Sequence, residues 1–151
     1  MIPKLEKLGR PLVPQINGFP VAFTVALTQL NKPIGDHQTI KYDHVITNLG
    51  YGYEPGTGHF TCPLKGLYLF AVTAMSAQSP THDLYTEVVK NGARVTKMYS
   101  TPTSSSSTTS VFLITLDVGD MIWVRTTYQH NQIIHGDNYD TFSGTLIYQM
   151  S

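Results

Sequence analysis

Ten consecutive residues, Gly66–Met75, read GLYLFAVTAM and carry no charge. Read as a strand, the segment is apolar on both faces. A sandwich strand normally keeps one wet face, so a strand dry on both sides belongs to a covered sheet or to a contact between subunits.

The rest of the chain punctuates in the same way. Val21, Phe23, Val25 and Leu27 alternate with Ala22, Thr24, Ala26 and Thr28, the period of two that marks a strand with one dry face. Leu84–Lys90 and Ala93–Tyr99 flank Asn91-Gly92, a dipeptide that accepts the positive φ angles of a type I′ turn, so a hairpin is expected there. Val111–Leu116 and Met121–Thr127 flank a second tight reversal at Asp117–Asp120, and Thr141–Gln149 closes the chain as a last strand. No segment sustains a capped helical stripe: Leu5 and Leu8 begin one, and Gly9 and Pro11 stop it. Thr101–Ser110 is a hydroxyl-rich tract that reads as a loop or as a polar edge strand. Residues 1–20 read as a Pro-containing arm or linker, and residues 21–151 as one all-β domain, a sandwich or jelly roll.

Composition narrows the function. Charged residues make up 13% of the 151, about half of the ordinary ~25%, and hydroxyls, amides and phenols replace them. Such a surface suits hydrogen bonding to neutral polar groups such as sugars, or burial against another subunit. Ten basic residues balance ten acidic ones, without the basic stripe of a nucleic-acid binder. The lone Cys62 permits no internal disulfide and no thiolate metal cluster. Residues 1–20 hold four charges and four prolines, which is neither a signal-peptide apolar stretch nor a membrane span.

Asn48–Val72 crowds glycines and aromatics. A phosphate cradle needs a strand before its glycines and a helix after them, and here a strand follows instead. Glycines that turn the chain and rings that fill the core are the simpler account. The spacing of Tyr42, Asn48, Tyr53, Phe60, Gly66, Tyr68 and Phe70 resembles the signature of the globular head of the first complement component, subcomponent q (the C1q head). Tyr42 stands where Phe is usual, and Val72 where Phe or Tyr is usual. The resemblance continues through VVKNGARV, LDVGDMIWVR with Trp123, and DTFSGTLIYQ with Phe142 and Gly144. It implies a ten-stranded jelly roll, related in shape to tumour necrosis factor, that assembles as a homotrimer. Trp123, between Ile122 and Val124, is expected in the core or at an interface.

The chemical constellations are sparse. His130 and His135 lie five apart in an irregular loop, which is not a metal-binding spacing on one face. No serine sits in Gly-x-Ser-x-Gly, and no acid is paired with a base, so no enzyme is expected. Asp137 and Asp140 are hard oxygen ligands in a loop, and calcium-binding relatives make them the calcium candidates; the bland reading is an Asx-rich turn. No other cofactor is expected. The ligand-contact candidates are Tyr128, His130, Gln132, His135, Asp137, Asn138 and Tyr139 in the longest non-periodic stretch, with Arg94, Lys97 and Tyr99 beyond the hairpin turn. Rings stack on sugar faces, amides and acids bind hydroxyls, and a cation is needed for a sialic carboxylate. The resemblance implies a secreted, lectin-like recognition protein of innate immunity that binds glycan or microbial surfaces. The alternative is a cytokine-like or matrix trimer that binds a protein receptor. Neither nucleic-acid binding nor membrane insertion is expected.

Overall fold

The structure, a computed structural model, describes residues 18–78, 83–102, 106–127 and 132–151. Among them are twelve strands: β1 Ala22–Ala26, β2 Lys32–Ile34, β3 His44–Leu49, β4 Tyr53–Glu54, β5 His59–Thr61 and β6 Gly66–Met75, then β7 Leu84–Lys90, β8 Ala93–Ser100, β9 Ser107–Leu116, β10 Met121–Thr126, β11 Gln132–Ile134 and β12 Thr141–Gln149. Ten of them form two five-stranded sheets, β3-β1-β12-β6-β9 and β4-β5-β10-β7-β8, and β2 pairs with β11 in a short ribbon. This is the ten-stranded jelly roll expected from the sequence. Residues 1–17, most of the N-terminal arm, lie outside the described residues.

Local chemistry explains the elements. Asn91 and Gly92 turn at φ 51° and 87°, so β7 and β8 form the expected hairpin. The reversal at Asp117–Asp120 has a different role. β9 pairs with β6 and β10 pairs with β5 and β7, so this turn carries the chain from one sheet to the other. The hydroxyl-rich tract becomes the polar edge strand for Ser107–Ser110, held in register along β6. Its hydroxyls also bind the edge of the opposite sheet, Ser110 to Thr96 at 3.0 Å and Ser100 to Thr108 at 3.2 Å. Residues 103–105 lie outside the described residues.

The core is a ring cluster between the sheets. Phe23 stacks on Phe60 with centroids 4.9 Å apart and meets Phe142 edge-on at 4.8 Å, while Phe70 stacks on Phe142. Tyr42, Tyr53, Tyr68, Phe60, Phe70 and Phe142 are all buried, as their place in the signature implies. Asn48 closes the turn before β4: its amide accepts from the Tyr53 N–H at 3.1 Å and donates to the Tyr53 carbonyl at 2.9 Å. At Gly144 a Cβ would lie 2.6 Å from the Phe70 ring, so only hydrogen fits between β12 and that ring.

β6 buries one face in the core, and its other face, Leu67, Leu69, Ala71, Thr73 and Met75, is half-exposed in the single chain, the side open to a contact between subunits. One expectation is corrected. Trp123 is not a core residue. Ile122 and Val124 take the inward positions of β10, and alternation sends Trp123 to the outer surface, half-buried and stacked on His59 at 4.2 Å.

Candidate functional site

The strand registers give the sandwich two distinguishable ends. At one end Gly66 pairs with Gln149, and the Met150 N–H donates to the Lys65 carbonyl at 2.9 Å. At the other end Met75 pairs with Ser107 and Ala26 with Thr141. The second end, remote from the C-terminus and from the entry to β1, carries the turn that leads into β12.

That turn is left-handed at three successive residues, Gly136 (φ 67°), Asp137 (φ 52°) and Asn138 (φ 65°). Asn and Asp tolerate this region better than other side chains do. Gly136 leaves no room for a Cβ, which would meet the Gln29 carbonyl at 1.8 Å. The Asp137 and Asn138 N–H groups donate to the Thr28 and Leu27 carbonyls, and the Tyr139 N–H closes the turn on Gly136 at 3.0 Å. Asp137, Asn138 and Tyr139 therefore stand in solvent. His135 is half-buried, with its ring edge-on to Tyr139 at 5.0 Å.

Two residues assigned to this stretch have structural roles. Gln132 is fully buried at the start of β11; its side chain accepts from the Tyr85 N–H at 2.7 Å and donates to the Thr127 carbonyl. Its place among the ligand contacts is corrected on that ground. Asp140 is 1% exposed, and its two carboxylate oxygens accept from the Met75 N–H at 2.8 Å and the Gly136 N–H at 2.9 Å. Burial pushes its carboxyl up to about 6, against the pull of those two donors. Among the described residues no three His, Cys, Asp or Glu side chains gather closely enough to hold a metal ion. Tyr128 and His130 lie outside the described residues.

The second candidate group, Arg94, Lys97 and Tyr99, is spread along β8. The registers lay it into three transverse rows on the outer face of the second sheet. Tyr99 faces Tyr85, with ring centroids 4.8 Å apart; Lys97 faces Glu87, which faces Arg125; Arg94 faces Val89, which faces Trp123. The Tyr85–Tyr99 row lies at the same far end as the left-handed turn. The Tyr85 backbone bonds to both Thr127 and Gln132. Arg94 lies toward the opposite end, near the Asn91-Gly92 turn.

Sequence reasoning missed Glu87, Arg125, His59 and Tyr85. Glu87 is buried on this outer face between Arg94 at 3.2 Å and Arg125 at 3.5 Å. The alternation of β10 puts Trp123 and Arg125 on one side of the strand, and the pairing with β7 and β5 makes that side the outer one. Burial lowers the pKa of the His59 imidazole, stacked on the indole, from its ordinary value.

A family model described as the C1q domain matches residues 22–147. One of the subunits of the human complement C1q subcomponent is 31% identical over 133 residues, covering 85% of this chain and 50% of that protein. Caprin-2 of Danio rerio is 33% identical over 135 residues, covering 85% of this chain and 14% of that protein. The chain thus spans half or less of the length of these relatives. Among solved structures, the globular domain of zebrafish complement 1qA protein superposes with a TM-score of 0.69 at 20% identity, covering 86% of this chain and 99% of that one.

Proposed function

Because this chain belongs to the C1q-domain family across residues 22–147, we propose that it is the head of an extracellular, non-catalytic recognition protein that works as a homotrimer and binds glycan or microbial-surface ligands. The observation that carries this reading is the outer face of the first sheet. Val111 and Leu113 are 62% and 61% exposed there in the single chain, and they pair across the ladder with Ala71 and Leu69. Beside this ridge lies a shallow concavity lined by small residues, among them Ala22, Thr24, Ala71, Ser143 and Thr145. A ridge and a hollow on one face suit head-to-tail packing, which forms a ring when the rotation between copies closes. Burial of such a patch by a second copy removes a surface that a lone soluble domain rarely keeps.

Three copies around an axis present the Gly136–Tyr139 turn three times, so weak contacts to single sugars add up on a repetitive surface. Tyr139 and Tyr99 offer ring faces, while Asn138 and Asp137 offer groups for sugar hydroxyls. Lys97 is the nearest exposed cation on β8 for a sialic carboxylate.

The test is a glycan and bacterial-lipid array, run with and without calcium on protein whose mass is checked by light scattering. Trimers that bind sugars, and lose binding in Asp137→Ala or Tyr139→Ala, support the reading. A monomer mass at micromolar concentration sinks the trimer. Unchanged affinity in both variants removes the turn from the site, and an array silent for glycans and lipids favours a protein receptor instead.

A further inference from the structure

We propose that the outer face of the second sheet is a separate ligand surface, which takes an acidic sugar chain between the guanidinium groups of Arg94 and Arg125 and the Trp123 ring. It lies apart from the far-end turn, shares only Lys97 with the contacts proposed there, and stands whether or not that turn binds a sugar.

The first observation is the buried acid. Glu87 is 2% exposed, although it points away from the core. Taking a carboxylate out of water is costly, and a buried ion pair adds little net stability, so its presence asks for another account. Glu87 accepts from Arg94 Nε through one oxygen and from Arg125 Nη2 through the other. Arg125 Nη2 also donates to the Gly92 carbonyl at 3.3 Å. A guanidinium has five donors in a fixed fork. Glu87 therefore sets the orientation of both forks and leaves donors over; the Arg94 side chain remains 52% exposed. This arrangement is a preorganised seat for a carboxylate or a sulfate, and Glu87 is its positioning residue.

Charge is the second observation. The chain carries ten basic and ten acidic residues. On this face Arg94, Lys97 and Arg125 gather around Glu87, while the other acid of the sheet, Glu54, stands on the edge strand β4 beside His59, so the cation excess is local to β7, β8 and β10. Asp83, beside Tyr99, bounds it at the far end.

Ring chemistry selects a sugar. The Trp123 indole and the His59 imidazole lie parallel, at 20° and 4.2 Å, and form a ledge. Arg94 and Trp123 are two strand spacings apart, ~10 Å. A flat face with a cation at one side and a ring at the other suits an extended chain with an anionic group and an apolar sugar face. It does not enclose a small molecule as a pocket would.

Trp123 is the only tryptophan, so its emission reports on this face. The full chain is titrated with dextran sulfate, polygalacturonate, neutral dextran and poly-L-glutamate, at low and physiological salt. The expected result is a saturable change in emission with both acidic polysaccharides, weakened by salt. Arg94→Gln and Lys97→Gln should each lower affinity, Arg94→Gln by roughly tenfold, with unchanged melting. Glu87→Gln should lower it as well, and Tyr139→Ala should leave it unchanged. Binding without an emission change, or parental affinity in both Arg94→Gln and Lys97→Gln, overturns the site. Equal binding of neutral dextran overturns the guanidinium seat, and equal binding of poly-L-glutamate overturns the choice of a sugar. Parental affinity in Glu87→Gln removes the positioning role. Failure of the far-end turn reads out separately, as loss or retention in Tyr139→Ala on the array.

Discussion

At the scale of single residues, Asp140 is the most consequential side chain of the far end. Its two oxygens tie the left-handed turn to the end of β6 through Gly136 and Met75. Burial raises its carboxyl from 3.8 to about 6. The folded state therefore binds a proton between those two values that the unfolded chain has lost. The stabilising contribution of the protonated form is complete below the lower value and is lost as pH rises through about 6. On going from pH 7 to pH 5 the parent should gain about 1 kcal/mol more stability than Asp140→Asn does, measured by urea unfolding at each pH. Other titrating groups cancel in that comparison. Parallel pH profiles for the two proteins would show that Asp140 titrates at an ordinary carboxylate value.

At the scale of elements, β6 is the strand on which the first sheet depends, since it pairs with β12 on one side and β9 on the other. Gly66 opens it between Gln149 and Leu116. A Cβ there would stand 2.2 Å from the Tyr148 carbonyl oxygen and 2.6 Å from Leu146 Cδ1. The first of these neighbours is backbone and sits where β12 already carries a register shift. Relief requires β12 to move, which separates it from the ladder. Gly66→Ala should therefore cost about 3 kcal/mol, at the upper end for overpacking. A chemical-denaturation midpoint equal to the parent's would mean that β6 and β12 do not approach this closely.

At the scale of the whole molecule, the two outer faces differ in chemistry. The first sheet turns aliphatic residues outward, and the second turns outward its cations and rings. Leu113 tests that division because it is 61% exposed in the single chain and pairs with Leu69 on the candidate interface. Leu113→Asp should leave the far-UV strand signal and the monomer core intact while converting trimer to monomer in light scattering. Binding to a multivalent surface should then fall by a factor on the order of 100, through lost avidity. A variant that remains trimeric moves the interface off this face.

The sequence by itself determined the parts of this protein that depend on neighbours in the chain. Period two in Val21–Leu27, the Asn91-Gly92 turn and the bounds of Gly66–Met75 and Thr141–Gln149 are local properties, legible because φ, ψ and side-chain alternation are set within a few residues. The spacing from Tyr42 to Phe70 was legible as well, since close approach demands glycine and a packed core demands rings. Only the tertiary structure decided which side of a strand is wet. Trp123 and Ile122 are adjacent and both apolar, and the pairing of β10 with β7 and β5 turns one outward and the other inward. Gln132 looked like a loop amide until Tyr85, 47 positions earlier in the chain, supplied its hydrogen-bond donor. Asp140 reads in the sequence as one acid of a loop, and the fold brings it the N–H of Met75, 65 positions away, beside that of Gly136, four positions away. The Asp117–Asp120 turn reads as a tight reversal in the sequence, and only the pairings of β9 and β10 show that it crosses between two sheets. In each case burial and hydrogen-bond partners come from residues far away in sequence, and those pairings exist only once the two sheets have closed on each other.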